Sequence, residues 1–332
     1  MSATECAAMQ SITDVEALIA SGQSLFLAGS RRALSSLPRG NWIGGTISYF
    51  MTEEGGRVSE DGIFVTPVPE FALSVKAADY GPAEVARIYE DAPEHGFTFL
   101  VVPASTQVHK DFAEQAPTCD GFLLRPVVGW IAGVRVERIG HDKPAVFNGQ
   151  SGVVLEDRCA ALRVALPANK IADIDIVNIF ESGGGDVVRF EEAGFSAGRC
   201  LIGGKPANLA DHIVCHSIRT EFPLVGDYNG TSINVSFQKV DPAARNVEFY
   251  APVFPGVDYR FAKPVENYES AFAQAAAGDG SPDFACNCVL NFLYGRLEGK
   301  KTGGITGPIT FGEIAHQLLN QTLVKLYLRD VG

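Results

Sequence analysis

The sequence predicts an α+β protein made of two similarly built units, in which mixed or antiparallel sheets are covered by helices. Three observations carry this. At 332 residues the chain is longer than one ordinary core serves. Segments of period-two or continuous apolar character are interleaved with short helical segments that carry caps. Near the middle, Pro167-Ala168-Asn169-Lys170 ends a strand with turn-prone residues, which divides the chain into units 1–168 and 169–332.

In the first unit Thr13-Asp14-Val15-Glu16 reads as a capping box; Val15, Leu18 and Ile19 follow at helical spacing and Gly22 ends the helix. Residues 25–28 form a short buried strand. Residues 42–50 read as one strand broken by Gly44-Gly45, with 62–67 and 72–77 as its antiparallel neighbours. Pro82 begins a helix through Tyr89, because its fixed φ suits a first helical position. An apolar strand at 97–102, a helix over 106–115 and strands within 123–133, 145–147 and 159–166 complete the unit. The second unit opens with a strand at 171–179, the flexible Gly183-Gly184-Gly185 and a helix over 205–218. Ile233, Val235 and Phe237 alternate with Asn234, Ser236 and Gln238, the pattern of a strand with one buried face. Val247, Phe249, Ala251 and Val253 repeat it after the Asp241-Pro242 turn, and Asn267 caps a helix that stops at Gly278. GGTIS at 44–48 weakly echoes GGITGPIT at 303–310, a hint and no more of a duplicated unit.

Composition closes several function classes. With 46% apolar and 20% charged residues the chain can bury a core. A formal charge of −12 repels phosphate backbones, and Arg31-Arg32 and Lys300-Lys301 are the only adjacent basic pairs, so nucleic acid is not an expected partner. The start MSATECAAMQ lacks the basic and apolar regions of a secretory signal, and no uncharged apolar run reaches bilayer length. The expected location is therefore the cytoplasm, without membrane association. Seven Cys at 6, 119, 159, 200, 215, 286 and 288, odd in number and irregular in spacing, match reduced thiols there. In that setting the sequons at Asn229, Asn234 and Asn320 carry no glycan. The glycines at 183–185 lack the Lys-Ser/Thr of a phosphate loop, and neither a dinucleotide fingerprint nor a Gly-x-Ser-x-Gly elbow occurs. No cofactor is expected.

Polar residues are set most regularly among apolar ones in the tail, 283–328. Read as a strand, 284–292 places Phe284, Cys286, Cys288, Leu290 and Phe292 on one face and Ala285, Asn287, Val289 and Asn291 on the other. Cys286 and Cys288 then behave as small apolar residues, the alternatives being a metal ligand or a nucleophile. Buried, Asn287 and Asn291 must find partners, because an unsatisfied polar group costs ~1–3 kcal/mol. Those partners are neighbouring backbone or a ligand's polar groups. Glu313 follows Gly312 and precedes a helix-like stretch at 314–319, where it either caps the helix or accepts a ligand ammonium. Arg296 either clamps a ligand carboxylate or pairs with Glu298. Asn320 and Gln321 open a final strand. His212 and His216 share one face of a helix beside Cys215; an exposed or interface pair is favoured over a metal site, since no Glu follows His212.

The same tail resembles the C-terminal half of the FIST (F-box and intracellular signal transduction) proteins. Gly312-Glu313-Ile314 and Asn320-Gln321-Thr322 match the steps with which those chains end, and Cys286-Asn287-Cys288 with Arg296 is similar to the preceding cysteine-bearing segment. The stretch at 199–207, Glu221-Phe222-Pro223-Leu224, the glycine-bearing 127–133 with Asn148-Gly149, and Ile43-Gly44-Gly45-Thr46 resemble further parts in the same order. Two departures stand out: Ser48-Tyr49-Phe50 replaces the N-terminal half's own Gly-Glu-Ile, and Leu319 stands where a His often precedes Asn-Gln-Thr. The resemblance implies a small-molecule sensory protein, with an amino acid as ligand and an unidentified signalling protein as partner. Without an attached kinase, receiver or cyclase segment it would be a divergent stand-alone member. The expected site lies between or beside the units, lined by Asn287, Asn291, Arg296, Glu313, Asn320 and Gln321, with 44–48 and 129–133 as further walls. Two other readings stay open. One is an enzyme using Glu313 as acid/base or Cys288 as nucleophile. The other is a ligand-free scaffold, which requires that the polar cluster be satisfied internally, with no cavity larger than a few waters.

Overall fold

A computed structural model describes residues 7–228, 230–277 and 280–331. Cys6, the Asn229 sequon and the helix stop expected at Gly278 lie outside the described residues. The fold is α+β, with four six-stranded sheets, one three-stranded sheet and seven α-helices among the described residues. None of these helices is long and apolar enough to cross a membrane.

Three sheets each hold one parallel pair, and a helix lies between the two strands every time, as a parallel crossover demands. The pairs are Leu25–Gly29 with Trp42–Thr46 around helix Arg31–Ser35, Gly96–Pro103 with Val127–Ala132 around helix Gln107–Gln115, and Phe284–Cys288 with Gly307–Thr310 around helix Val289–Tyr294. The hairpin Tyr49–Thr52/Gly55–Val58 then leaves the first of these sheets and pairs with Gly307–Thr310. Reciprocally, the hairpin Glu313–Ala315/Gln317–Leu319 leaves the third and pairs with Val127–Ala132. Two sheets therefore draw strands from both sides of residue 168, and Lys170–Val177 pairs along its whole length with the last strand, Leu323–Asp330.

The largest apolar cluster is shared by the three mixed sheets. At its centre the Phe26 ring lies 4.2 Å from Trp130 and 4.3 Å from Phe99, and Phe284 lies 6.0 Å from Trp130. Two glycines permit this closeness. A Cβ on Gly45 would meet Val101 Cγ1 at 2.3 Å, and one on Gly129 would meet the Leu100 carbonyl at 1.9 Å.

Several expected elements shift, each for a local reason. Ser11, not Thr13, caps the first helix, accepting a 3.2 Å bond from the Asp14 amide, so the helix runs Ile12–Ala20. The run 42–50 is two strands in two sheets, and the change comes after Thr46 rather than at the glycines. Its expected neighbours pair elsewhere: Ile63–Pro67 with Leu25–Gly29, and Ser74–Tyr80 with Cys159–Ala165. Ala83, at φ +63°, separates Pro82 from helix Val85–Glu90. The stretch 205–218 begins as a strand, Lys205–Asn208, and Asn208 caps a shorter helix, Leu209–Cys215. The alternating run at 231–241 breaks at Ser236 into Thr231–Val235 and Phe237–Asp241, and its Asn234 and Ser236 are as buried as the apolar residues between them. Asn267 does cap its helix, Tyr268–Ala276.

Candidate functional site

The strand Phe284–Cys288 gives way to helix Val289–Tyr294, so Asn287 and Asn291 are not alternate residues of one strand. They meet because residues four apart lie together across this junction. Asn291 Nδ2 donates to Asn287 Oδ1 at 2.9 Å and to the Thr322 carbonyl at 3.0 Å, while its Oδ1 accepts from the Tyr268 hydroxyl at 2.6 Å. Glu313 caps no helix: the stretch that follows is the hairpin, turning at His316 with φ +60°. Pairing opposite Trp130 points Glu313 into the central core, where it is fully buried. Thr322 reaches it with its amide at 3.1 Å and its hydroxyl at 2.7 Å, both donating to Oε2.

Between these groups lies the turn Asn320-Gln321-Thr322, with Gln321 in the left-handed region at φ +51°. Asn320 donates to the Asn234 carbonyl at 3.0 Å and accepts from the Ser236 amide at 2.8 Å. The Ser236 hydroxyl sits between the side-chain carbonyls of Asn320 and Gln321. Gln321 Nε2 donates to the Glu221 carbonyl at 3.0 Å and to the Tyr268 hydroxyl at 3.2 Å. Five of the six expected site residues thus belong to one connected network. Among the described residues two of its buried atoms lack a partner, Asn287 Nδ2 and Glu313 Oε1.

Burial lifts the Glu313 carboxyl to about 8, against the pull of the Thr322 donors. Burial also drives the Cys286 and Cys288 thiols well above their usual range, and the neighbouring Glu313 adds to it. Cys286 donates to the Gly129 carbonyl at 3.2 Å. Both thiols are core residues and poor nucleophiles.

One small recess borders this network. The recess against Asn287, Cys286, Pro308 and Leu323 measures ≈ 10 Å³, room for about one water. Arg296 stands apart from it. It occupies the exposed turn after helix Val289–Tyr294, at φ +51°, and makes no ion pair among the described residues, neither with Glu298 nor with anything near Glu313. Nor are 44–48 and 129–133 pocket walls; most of each is buried strand.

A hollow of ≈ 250 Å³ does open a short way from the network, lined by Ser217, Ile218, Arg219, Phe222, Phe261, Ala262 and Pro264. It forms where the chain leaves helix Leu209–Cys215 through Ser217, at φ +51°, and passes the end of strand Asp258–Phe261. The Arg219 guanidinium lies 4.6 Å from the centre of the Phe222 ring, and its Nε donates to Glu221 at 3.0 Å. His212 stacks on the Phe261 ring at 5.9 Å and lies tilted against His216 at 4.2 Å. His216 Nδ1 is tied to the His212 carbonyl at 2.9 Å, and no cluster of three metal-ligating side chains exists among the described residues. Sequence reasoning missed this groove. Its one trace was the Phe222-Pro223 step, quoted for a resemblance rather than for chemistry.

Two links join groove and network. The Glu221 carbonyl holds Gln321. Beneath the groove, Phe222 packs on Phe180 at 6.3 Å and Phe180 on Tyr268 at 5.7 Å, whose hydroxyl contacts both Asn291 and Gln321.

No curated protein and no solved structure matches the chain. The model of DUF6976, described as a family of unknown function, matches residues 10–329, almost the whole length, and the chain belongs to that family.

Proposed function

We propose that this protein is a small-molecule-binding sensory protein that takes its ligand in the groove beside Phe222 and reports occupancy through the turn 320–322. The observation that carries this is Gln321, whose side chain spans the interval from Glu221, next to the groove, to Tyr268 and Ser236 in the buried network. A ligand that displaces Phe222 moves the Glu221 carbonyl. Gln321 must then follow or lose a buried partner at ~1–3 kcal/mol. Following shifts Thr322, and with it the donors on Glu313. Ligand and core become coupled by the difference in bonding between two arrangements.

Sensory binding is also what the FIST-like tail implies, with an unidentified signalling protein downstream. Six free thiols among the described cysteines suit a reducing cytoplasm, where we assign it. A catalytic role has less support, since Cys288 is buried with a raised pKa and Glu313 is fully buried. The scaffold reading draws on the ≈ 10 Å³ recess, which leaves the network itself nearly closed.

A thermal-shift screen against metabolites and divalent metals separates these readings. A ligand at about a hundred times its dissociation constant stabilises by roughly 2.7 kcal/mol. The response should weaken in Phe222→Trp, whose larger ring narrows the groove. In Gln321→Leu binding should persist while the ligand-induced change in Trp130 fluorescence is lost. Silence across a broad library, or a hit indifferent to Phe222→Trp, would sink the proposal.

A further inference from the structure

Resting on that reading of the groove, we propose that its ligand is a compact carboxylate with an aromatic or branched apolar body, held at Arg219. The walls supply the body's site: Ile218, Phe222, Phe261 and Pro264 line a hollow of ≈ 250 Å³, below the usual range for drug-sized ligands. Arg219 supplies the head's site. Its guanidinium is fixed in two ways, over the Phe222 ring at 4.6 Å and through Nε on Glu221 at 3.0 Å. Nη1 donates to nothing among the described residues, which leaves an edge of the planar fork open. That edge matches a carboxylate in two parallel bonds. The ring contact holds the guanidinium in place beforehand, so little is lost in ordering it.

Glu221 tunes how tightly the groove holds a carboxylate. Glu221 is the carboxylate paired with the groove's arginine, and it already accepts from Nε and Nη2 of Arg219 through one oxygen. The pair is exposed, 61% at Arg219 and 36% at Glu221, so little holds it closed against a competing anion. An incoming carboxylate therefore shares the guanidinium with Glu221 and is repelled by it. Removing the Glu221 charge should tighten such a ligand. It should weaken one that carries an ammonium.

The test is calorimetric titration of the full chain with carboxylates of graded size, from 3-methylbutanoate to phenylpropanoate, beside their primary amides and the corresponding α-amino acids. Carboxylates should bind at least tenfold tighter than their amides. Arg219→Gln should lose that preference with the melting temperature unchanged, and Glu221→Gln should tighten the carboxylates several-fold. Amides binding as well as carboxylates, with both weakened in Phe222→Trp, would overturn the inference and leave the groove reading standing. Failure of every compound in all three charge states would take down the groove as well.

Discussion

Glu313→Gln should flatten the dependence of stability on pH. The carboxyl is fully buried, and burial outweighs the Thr322 donors on Oε2 and the nearby Cys288 thiol and Thr310 hydroxyl, so ionising it is costly. Its folded pKa of about 8 stands above the ordinary 4.5. Between those values the folded protein keeps a proton that the unfolded chain has released. The stabilising contribution is therefore complete below about 4.5 and is lost as pH rises through about 8. Each pH unit inside that window is worth ~1.4 kcal/mol, or about 3 kcal/mol between pH 5 and pH 7. Gln has the shape of the protonated acid and does not titrate. Urea midpoints and slopes measured for both proteins from pH 5 to pH 9 give the difference directly, because the other titrating groups cancel. The variant should gain about 3 kcal/mol on the wild type from pH 5 to pH 7, and the curves should run parallel above pH 8 to 9. Parallel curves throughout, or a wild type that gains with rising pH, would show that Glu313 ionises in the folded state without penalty.

Tyr268→Phe deletes the hydroxyl shared by Asn291 and Gln321 and should cost ~1–3 kcal/mol in urea unfolding, with little change in slope. Gly129→Ala drives a Cβ to 1.9 Å from the Leu100 carbonyl at φ +156°; a loss above about 3 kcal/mol is expected by thermal melting, and a near-neutral result would contradict the close strand approach. Iodoacetamide should label the exposed Cys215 in the native protein, while Cys286 and Cys288 react only on global unfolding. Mass-mapped labelling of Cys288 at a comparable rate would restore the nucleophile reading.

How much of this was legible beforehand differs by element. Where side-chain chemistry and chain geometry coincide, as at Asn267 before Tyr268–Ala276 or the apolar run inside Gly96–Pro103, reading along the chain suffices. The exchanged hairpins were not legible, because nothing in Tyr49–Thr52 records which sheet it joins; only the distant partner Gly307–Thr310 decides it. Glu313 was singled out for its polarity, but its strand conformation depends on the register with 128–130, whereas local spacing favours a helix at 314–319. Asn234 and Ser236 read as the solvent side of a strand. They are buried because Asn320 and Gln321, some 85 residues away, cover them. The groove escaped for a related reason: Arg219, Phe222 and Phe261 come from two segments and carry no spacing signal.

The echo between 44–48 and 303–310 does not carry into the structure, since Gly44-Gly45 lie inside a strand and Gly303-Gly304 in a turn before one, but the exchanged hairpins show a correspondence of their own. In each half a parallel strand ends at a threonine, Thr46 or Thr310, two residues follow, and the next strand starts in another sheet at Tyr49 or Glu313. Tyr49 and Glu313 thus hold corresponding positions, both buried at a crossing between sheets. The tyrosine position is quiet, since its hydroxyl accepts from the Val136 amide at 2.9 Å and burial keeps the phenol protonated. The glutamate position is not. Its carboxyl lacks a partner on one oxygen, and across the strand pair the Trp130 indole N–H lacks one too. A second tyrosine or an apolar side chain would avoid that cost, because an unsatisfied buried polar atom costs ~1–3 kcal/mol. Packing alone therefore does not explain a carboxyl at 313. On the sensor reading proposed above, the turn takes two bonding arrangements and needs a residue whose partners can change, a role Glu313 would fill through Thr322, one residue from Gln321 and its bond to Glu221.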